Sequence, residues 1–108
     1  MKKIKHHRLP GAFERVKKGE KKLEIRLFDE KRRKIRIGDI IEIYKLPENK
    51  ETLTVKVIGL SRFNSFKDLF SALGKMVKPA DKKILKKIYT KAKEKKYGVL
   101  VIHFKLTK

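Results

Sequence analysis

Four segments of this chain alternate apolar and polar residues with a period of two, which removes most architectures from consideration. In "LEIRL", Leu23, Ile25 and Leu27 fall on one side, and Glu24 and Arg26 on the other. "IIEIYK" repeats the pattern with Ile41 and Ile43 and leaves Tyr44 out of phase. "TLTVKV" carries Leu53, Val55 and Val57, and "VLVIHFKL" carries Leu100, Ile102, Phe104 and Leu106. Successive side chains of a strand point to opposite faces, so each segment offers one apolar face to a core. The opening "KKIKHHRL" also reads as extended. A β-rich protein follows.

Helical spacing interrupts the strands in three places. Around "LPGAFERVKKG", Leu9, Phe13 and Val16 recur at i, i+4 and i+7, Pro10 suits an early helical position and Gly19 supplies the stop. "SFKDLFSALG" has Ser65 as its N-cap, an apolar face of Phe66, Leu69, Phe70 and Leu73, and Gly74 as its end. "KPADKKILKKIYTKAKEKK" reads as one longer helix. Ile84, Leu85, Ile88, Tyr89 and Ala92 share a side there, and lysines cover the rest. Gly38-Asp39 and "PENKE" are turns, and Gly59 marks a bulge. No repeat or low-complexity linker divides the 108 residues, so residues 1–108 form a single domain. The expected class is α+β: a small β-barrel, closed or nearly so, of mixed or antiparallel strands with flanking helices.

Charge sets the partner class. Thirty-two Lys and Arg against twelve Asp and Glu leave a formal charge of +20. An excess of this size repels itself and draws polyanions, so nucleic acid is the expected partner. The lack of Cys and Gln and the heavy use of Lys and Glu point toward a thermophilic source. Without cysteine there is no disulfide and no thiolate metal site. His6 and His7 are adjacent and point to opposite sides of a strand, a poor geometry for one metal. No metal and no cofactor is expected. No apolar run approaches the roughly 18 residues of a membrane span. The N-terminus has no apolar signal-peptide core, and the expected location is the cytoplasm without membrane association.

The candidate site is built from cations. Lys21, Glu24 and Arg26 lie where the first alternating strand turns its polar side outward or into a cleft. In a cleft, Lys21 and Arg26 would contact phosphate or a base edge, with Glu24 orienting them. Lys31, Arg32, Arg33 and Lys34, together with Arg36, form a basic connection suited to tracking phosphates. The lysine face of the long helix extends the same rim. Tyr44, Phe63, Phe66 and Tyr97 could stack on bases, and Tyr44 stands out by its phase.

Gly19-Glu20-Lys21-Lys22-Leu23-Glu24-Ile25-Arg26 fits G-x-K-x-x-E-x-R, and "IRIGDIIEI" adds a Gly-Asp turn feeding a strand. The combination resembles the ASCH domain family, whose fold is related to the PUA RNA-binding domains. The resemblance extends from Leu9 to Leu106. It implies a PUA-like barrel with a cleft between barrel and helices, the motif residues in that cleft, and RNA or modified nucleosides as ligands. Some small bacterial members of the family it resembles are amidohydrolases that remove the acetyl group from N4-acetylcytidine with a Lys, a Thr and a Glu. Lys21 matches the Lys and is the one catalytic candidate if the chain is an enzyme. Glu24 stands at the Thr position. The segment Lys67 to Lys78, where the Glu would lie, offers only Asp68. The expectation is therefore an RNA-binding module, alone or within a ribonucleoprotein, transcription or translation complex. An enzyme acting on a modified nucleoside or RNA, amidohydrolase or ribonuclease, is the alternative.

Overall fold

A computed structural model describes residues 3–107, the Ala80 side chain apart. Strand β1 (Lys3–Arg8) leads into helix α1 (Pro10–Lys17), β2 (Leu23–Leu27), β3 (Ile40–Lys45) and β4 (Thr52–Phe63). Helices α2 (Phe66–Leu73), α3 (Pro79–Ile88) and α4 (Lys91–Tyr97) follow, and β5 (Val99–Thr107) ends the chain. The strands form one five-stranded sheet in the order β1-β3-β4-β5-β2. This is a mixed α+β fold. β1 runs parallel to β3, with Ile4 opposite Ile41 and His6 opposite Ile43. β3 runs antiparallel to β4, with Ile41 opposite Val55.

The chain clusters into two compact units. The first comprises Met1–Glu24, Ile35–Leu60 and Ile102–Lys108. Its core is Phe13, Val16, Ile41, Ile43, Val55 and Val57, all essentially out of solvent. α1 starts with Pro10 in its first turn and presents Phe13 and Val16 to that core, whereas Leu9 is exposed. Leu9 is the residue before the helix, with extended backbone, so it falls outside the i, i+4, i+7 stripe expected from its position. β4 runs unbroken through Gly59. A Cβ there would meet the His103 side chain at 3.4–3.5 Å, an ordinary van der Waals contact.

The second unit comprises Ile25–Lys34 and Ser61–Val101. Ser65 caps α2 by accepting a hydrogen bond from the Asp68 amide at 3.1 Å. The anticipated long helix is two helices. Tyr89 takes an extended conformation, and Thr90 opens α4 by accepting from the Lys93 amide at 3.2 Å. The threonine hydroxyl competes for backbone donors and makes a better cap than helix interior, which breaks the continuous stripe. Only Leu85 of the expected apolar side is buried; Ile84 and Ile88 are exposed. β5 also departs from simple alternation. Val99, Leu100, Val101 and Ile102 are all buried, and Leu106 is exposed. The start of β5 is thus covered on both faces.

Candidate nucleic-acid interface

The Lys-Glu-Arg motif separates into three different environments. Gly19, with φ +77°, ends α1, and the Lys21 amide donates back to the Arg15 carbonyl at 3.1 Å. That turn delivers Lys21 half-buried, and no side-chain hydrogen bond or ion pair engages it among the described residues. Glu24 is 4% exposed and faces inward. Its Oε2 accepts from Arg8 Nη2 at 2.9 Å and from Arg8 Nε at 3.1 Å. Arg8 in turn lies 3.1 Å from His6 Nδ1 and donates to the His7 carbonyl at 2.7 Å. Arg26 is half-buried and donates to the Ile25 carbonyl at 2.8 Å.

Arg8 was absent from the candidate residues read from sequence. Its signal is present, however: His6 and Arg8 are two apart on β1, on the side that also carries Ile4. An inward Arg on a strand needs a buried acid, because an unpaired buried charge costs on the order of 3 kcal/mol or more.

The basic connection is more ordered than its composition suggests. Asp29 accepts from both the amide and the guanidinium of Arg32, each at 3.1 Å. Arg33 donates to the Phe28 carbonyl at 3.4 Å and lies over the Phe28 ring, 5.2 Å from its centroid. Lys31 and Lys34 are exposed. Arg36, in the other unit, is exposed and its amide donates to buried Asp39 Oδ2 at 2.9 Å, which shapes the turn at Gly38 (φ +96°). Tyr44 is half-buried opposite His7, with the two rings stacked at 5.4 Å. Phe66 is buried between Phe70 and Tyr89, so it has no face left for a base.

Within the second unit lies a pocket of about 480 Å³ lined by Arg33, Arg62, Lys95, Lys96, Phe63 and Tyr97, with Asn64 and Gly98. Four cations and no carboxylate line it. The Arg62 guanidinium sits 3.9 Å from the Phe28 ring centroid, so one ring orients both arginines. Stacking occupies the guanidinium face and leaves in-plane N–H donors for a ligand, apart from the Arg33 Nε that donates to the Phe28 carbonyl. Glu94, beside Lys95 in sequence, is engaged elsewhere: its Oε1 accepts from the Phe66 amide at 2.6 Å. Local patterning does not single out Arg62, Lys95 and Lys96, because the pocket joins the end of β4 to the end of α4. Among the described residues no cluster of His, Asp or Glu is arranged to hold a metal. No helix among them is long and apolar enough to cross a membrane.

These features define a basic α+β module of the ASCH/PUA-like fold. The chain belongs to the ASCH domain family, matching that domain over residues 10–108. It is similar to the hypothetical protein PH0355, a crystal structure, with 36% identity and a TM-score of 0.80. That match covers 97% of this chain and 99% of the other. The solution structure of protein PF0455 from Pyrococcus furiosus is 31% identical with a TM-score of 0.76, covering 98% of both chains. A variant of the ASCH protein ZmASCH from Zymomonas mobilis shares the fold at 14% identity and a TM-score of 0.62. It covers 99% of this chain and 68% of the other. No curated protein matches.

Proposed function

We propose that the chain is a nucleic-acid-binding module with a preference for RNA. One observation carries the reading: Lys and Arg outnumber Asp and Glu by 32 to 12, and at least half of those acids are already engaged in structural contacts. Glu14, Glu24, Asp29, Asp39, Glu51 and Glu94, six of the twelve, hold named basic side chains or backbone amides. A surface of this kind neutralises phosphates and releases counterions. Membership of a family generally thought to bind RNA supports the same partner class.

In this reading Lys21 and Arg26 each contact phosphate or a base edge. Glu24 acts through Arg8 by fixing the strand that carries the motif. Lys31, Arg32, Arg33, Lys34 and Arg36 form the rim, and Tyr44 offers a stacking face. The chain acts in the cytoplasm, as one domain, alone or within a ribonucleoprotein.

The test compares wild type with Lys21→Ala/Arg26→Ala on a structured RNA and a duplex DNA of equal length. Wild type should bind the RNA more tightly, and the variant should lose that preference while keeping most of its salt dependence. Equal binding of both ligands by both proteins would reduce the module to a generic polyanion trap.

A further inference from the structure

The pocket in the second unit is lined by none of Lys21, Glu24 or Arg26, and it combines three features that seldom coincide by chance. Its four cations have no carboxylate partner among the described residues. Its two arginines are pre-oriented: both lie over Phe28, whose amide donates to the Gly98 carbonyl at 3.0 Å. Two half-buried aromatics, Phe63 and Tyr97, lie in the same lining. Solvated lysines on a helix need no such scaffold. The backbone was also shaped here. Gly98 has φ +75°, and a Cβ would approach the Phe63 carbonyl to 3.1 Å, so only glycine lets α4 turn into β5 beside the pocket.

A volume of about 480 Å³ falls in the range of small-ligand sites, roughly 300–1,000 Å³. Guanidinium forks recognise phosphate oxygens through paired N–H donors, and aromatic rings accept any base through its π-face. We propose that this pocket binds one nucleotide unit. The phosphate sits on Arg62 and Arg33 with Lys95 and Lys96 around it, and the base lies against Tyr97 or Phe63. The proposal rests on the nucleic-acid reading above for its source, an RNA strand, but its chemistry is equally that of a free mononucleotide. With the four cations on the phosphate and a ring face under the base, Asn64 and the Tyr97 hydroxyl are the lining groups left to read a base edge, so discrimination among bases at this pocket is weak.

Two measurements test it together. In the first, a single-stranded oligouridine is titrated into wild type, Arg62→Gln/Lys96→Gln, Arg62→Lys, and a control of equal charge, Lys50→Gln/Lys56→Gln. Lys50 and Lys56 are exposed and outside the proposed interface. The pocket double variant should lose about tenfold in affinity, and its salt slope should fall by about 1.4, two contacts at roughly 0.7 each. The control should lose clearly less. Arg62→Lys keeps the charge and guards against misfolding, and it should still bind less tightly because the planar fork is gone.

In the second, uridine monophosphate and uridine are added to wild type while backbone amide resonances are followed. The monophosphate should shift Tyr97 and Gly98, and uridine should do so more weakly. If the oligouridine binds but the pocket variant behaves like the control, the pocket assignment is overturned and the RNA-binding reading survives. Shifts at Tyr97 and Gly98 without any RNA binding would keep the nucleotide pocket and remove the RNA reading. Uridine acting as strongly as its monophosphate, or neither shifting these residues, would overturn the phosphate seat.

Discussion

Glu24 is the residue on which the motif turns, and it acts by holding a neighbour. Its carboxylate, 6% exposed, faces Arg8, whose side chain is 15% exposed. Glu24→Ala leaves that guanidinium next to His6 without its acid. Breaking a buried pair costs about 3 kcal/mol at the low end of the known range. Denaturant unfolding should show a loss of this order, and a cycle with Arg8→Ala should show strong coupling. Independent, additive losses would remove the pairing from the account. Gly98 is the second test at this scale. Gly98→Ala forces a β-carbon into a backbone region open essentially to glycine, at a cost of about 1–3 kcal/mol, measured the same way. The roles of these two residues differed in legibility. "GEKKLEIRL" advertises a polar face, but the partner of Glu24 lies 16 residues away on β1, a strand that does not pair with β2 in the sheet, so local patterning does not encode the contact.

At the scale of elements, most strands could be read, because period-two alternation is a direct image of a half-buried surface. β3 begins and ends where its pattern does. The failures differ in cause. Val99 to Ile102 are covered on both faces, so their burial has no alternation to betray it, and α3–α4 reads as one helix because Ile84, Leu85, Ile88, Tyr89 and Ala92 keep helical phase across Thr90. Thr90 is the break. Thr90→Ala should cost about 1 kcal/mol through the lost cap. It should also loosen Glu94 from the Phe66 amide, seen as faster hydrogen exchange at the start of α2. Unchanged exchange at Phe66 would show that α4 needs no such anchor.

In the first unit, α1, β3 and the following turn are tied by Lys45, which meets Glu14 and Glu51, each at 3.3 Å, while Lys17 reaches Glu51 at 3.5 Å. The hydrogen bond to Lys45, and then its charge, hold the Glu51 carboxyl below its ordinary 4.5. The hydrogen bonds to Glu51 and Glu14 raise the Lys45 ammonium above 10.5. The depressed acid stabilises the fold above pH 4.5, and that contribution is lost as pH falls through its lowered value. The raised base stabilises below pH 10.5 and is lost as pH climbs past its raised value. The stability gap between wild type and Glu51→Gln should therefore be small, flat between those limits, absent in strong acid, and erased by molar salt. A gap that persists in molar salt would point to packing.

For the whole molecule, fold class and family were legible because several weak signals agreed: the alternating strands, the Gly38-Asp39 turn, the G-x-K-x-x-E-x-R spacing and the final apolar strand. The basic-aromatic pocket was not, since Arg33, Arg62, Lys95 and Tyr97 come from three separated stretches of chain. The central claim is that a chain carrying a net charge of +20 binds RNA. Its most direct test is the salt dependence of wild-type binding to a single-stranded RNA. Contact with at least five phosphates predicts a slope of log K against log salt of about −3.5 or steeper. A slope near zero, or no binding at low salt, would contradict it.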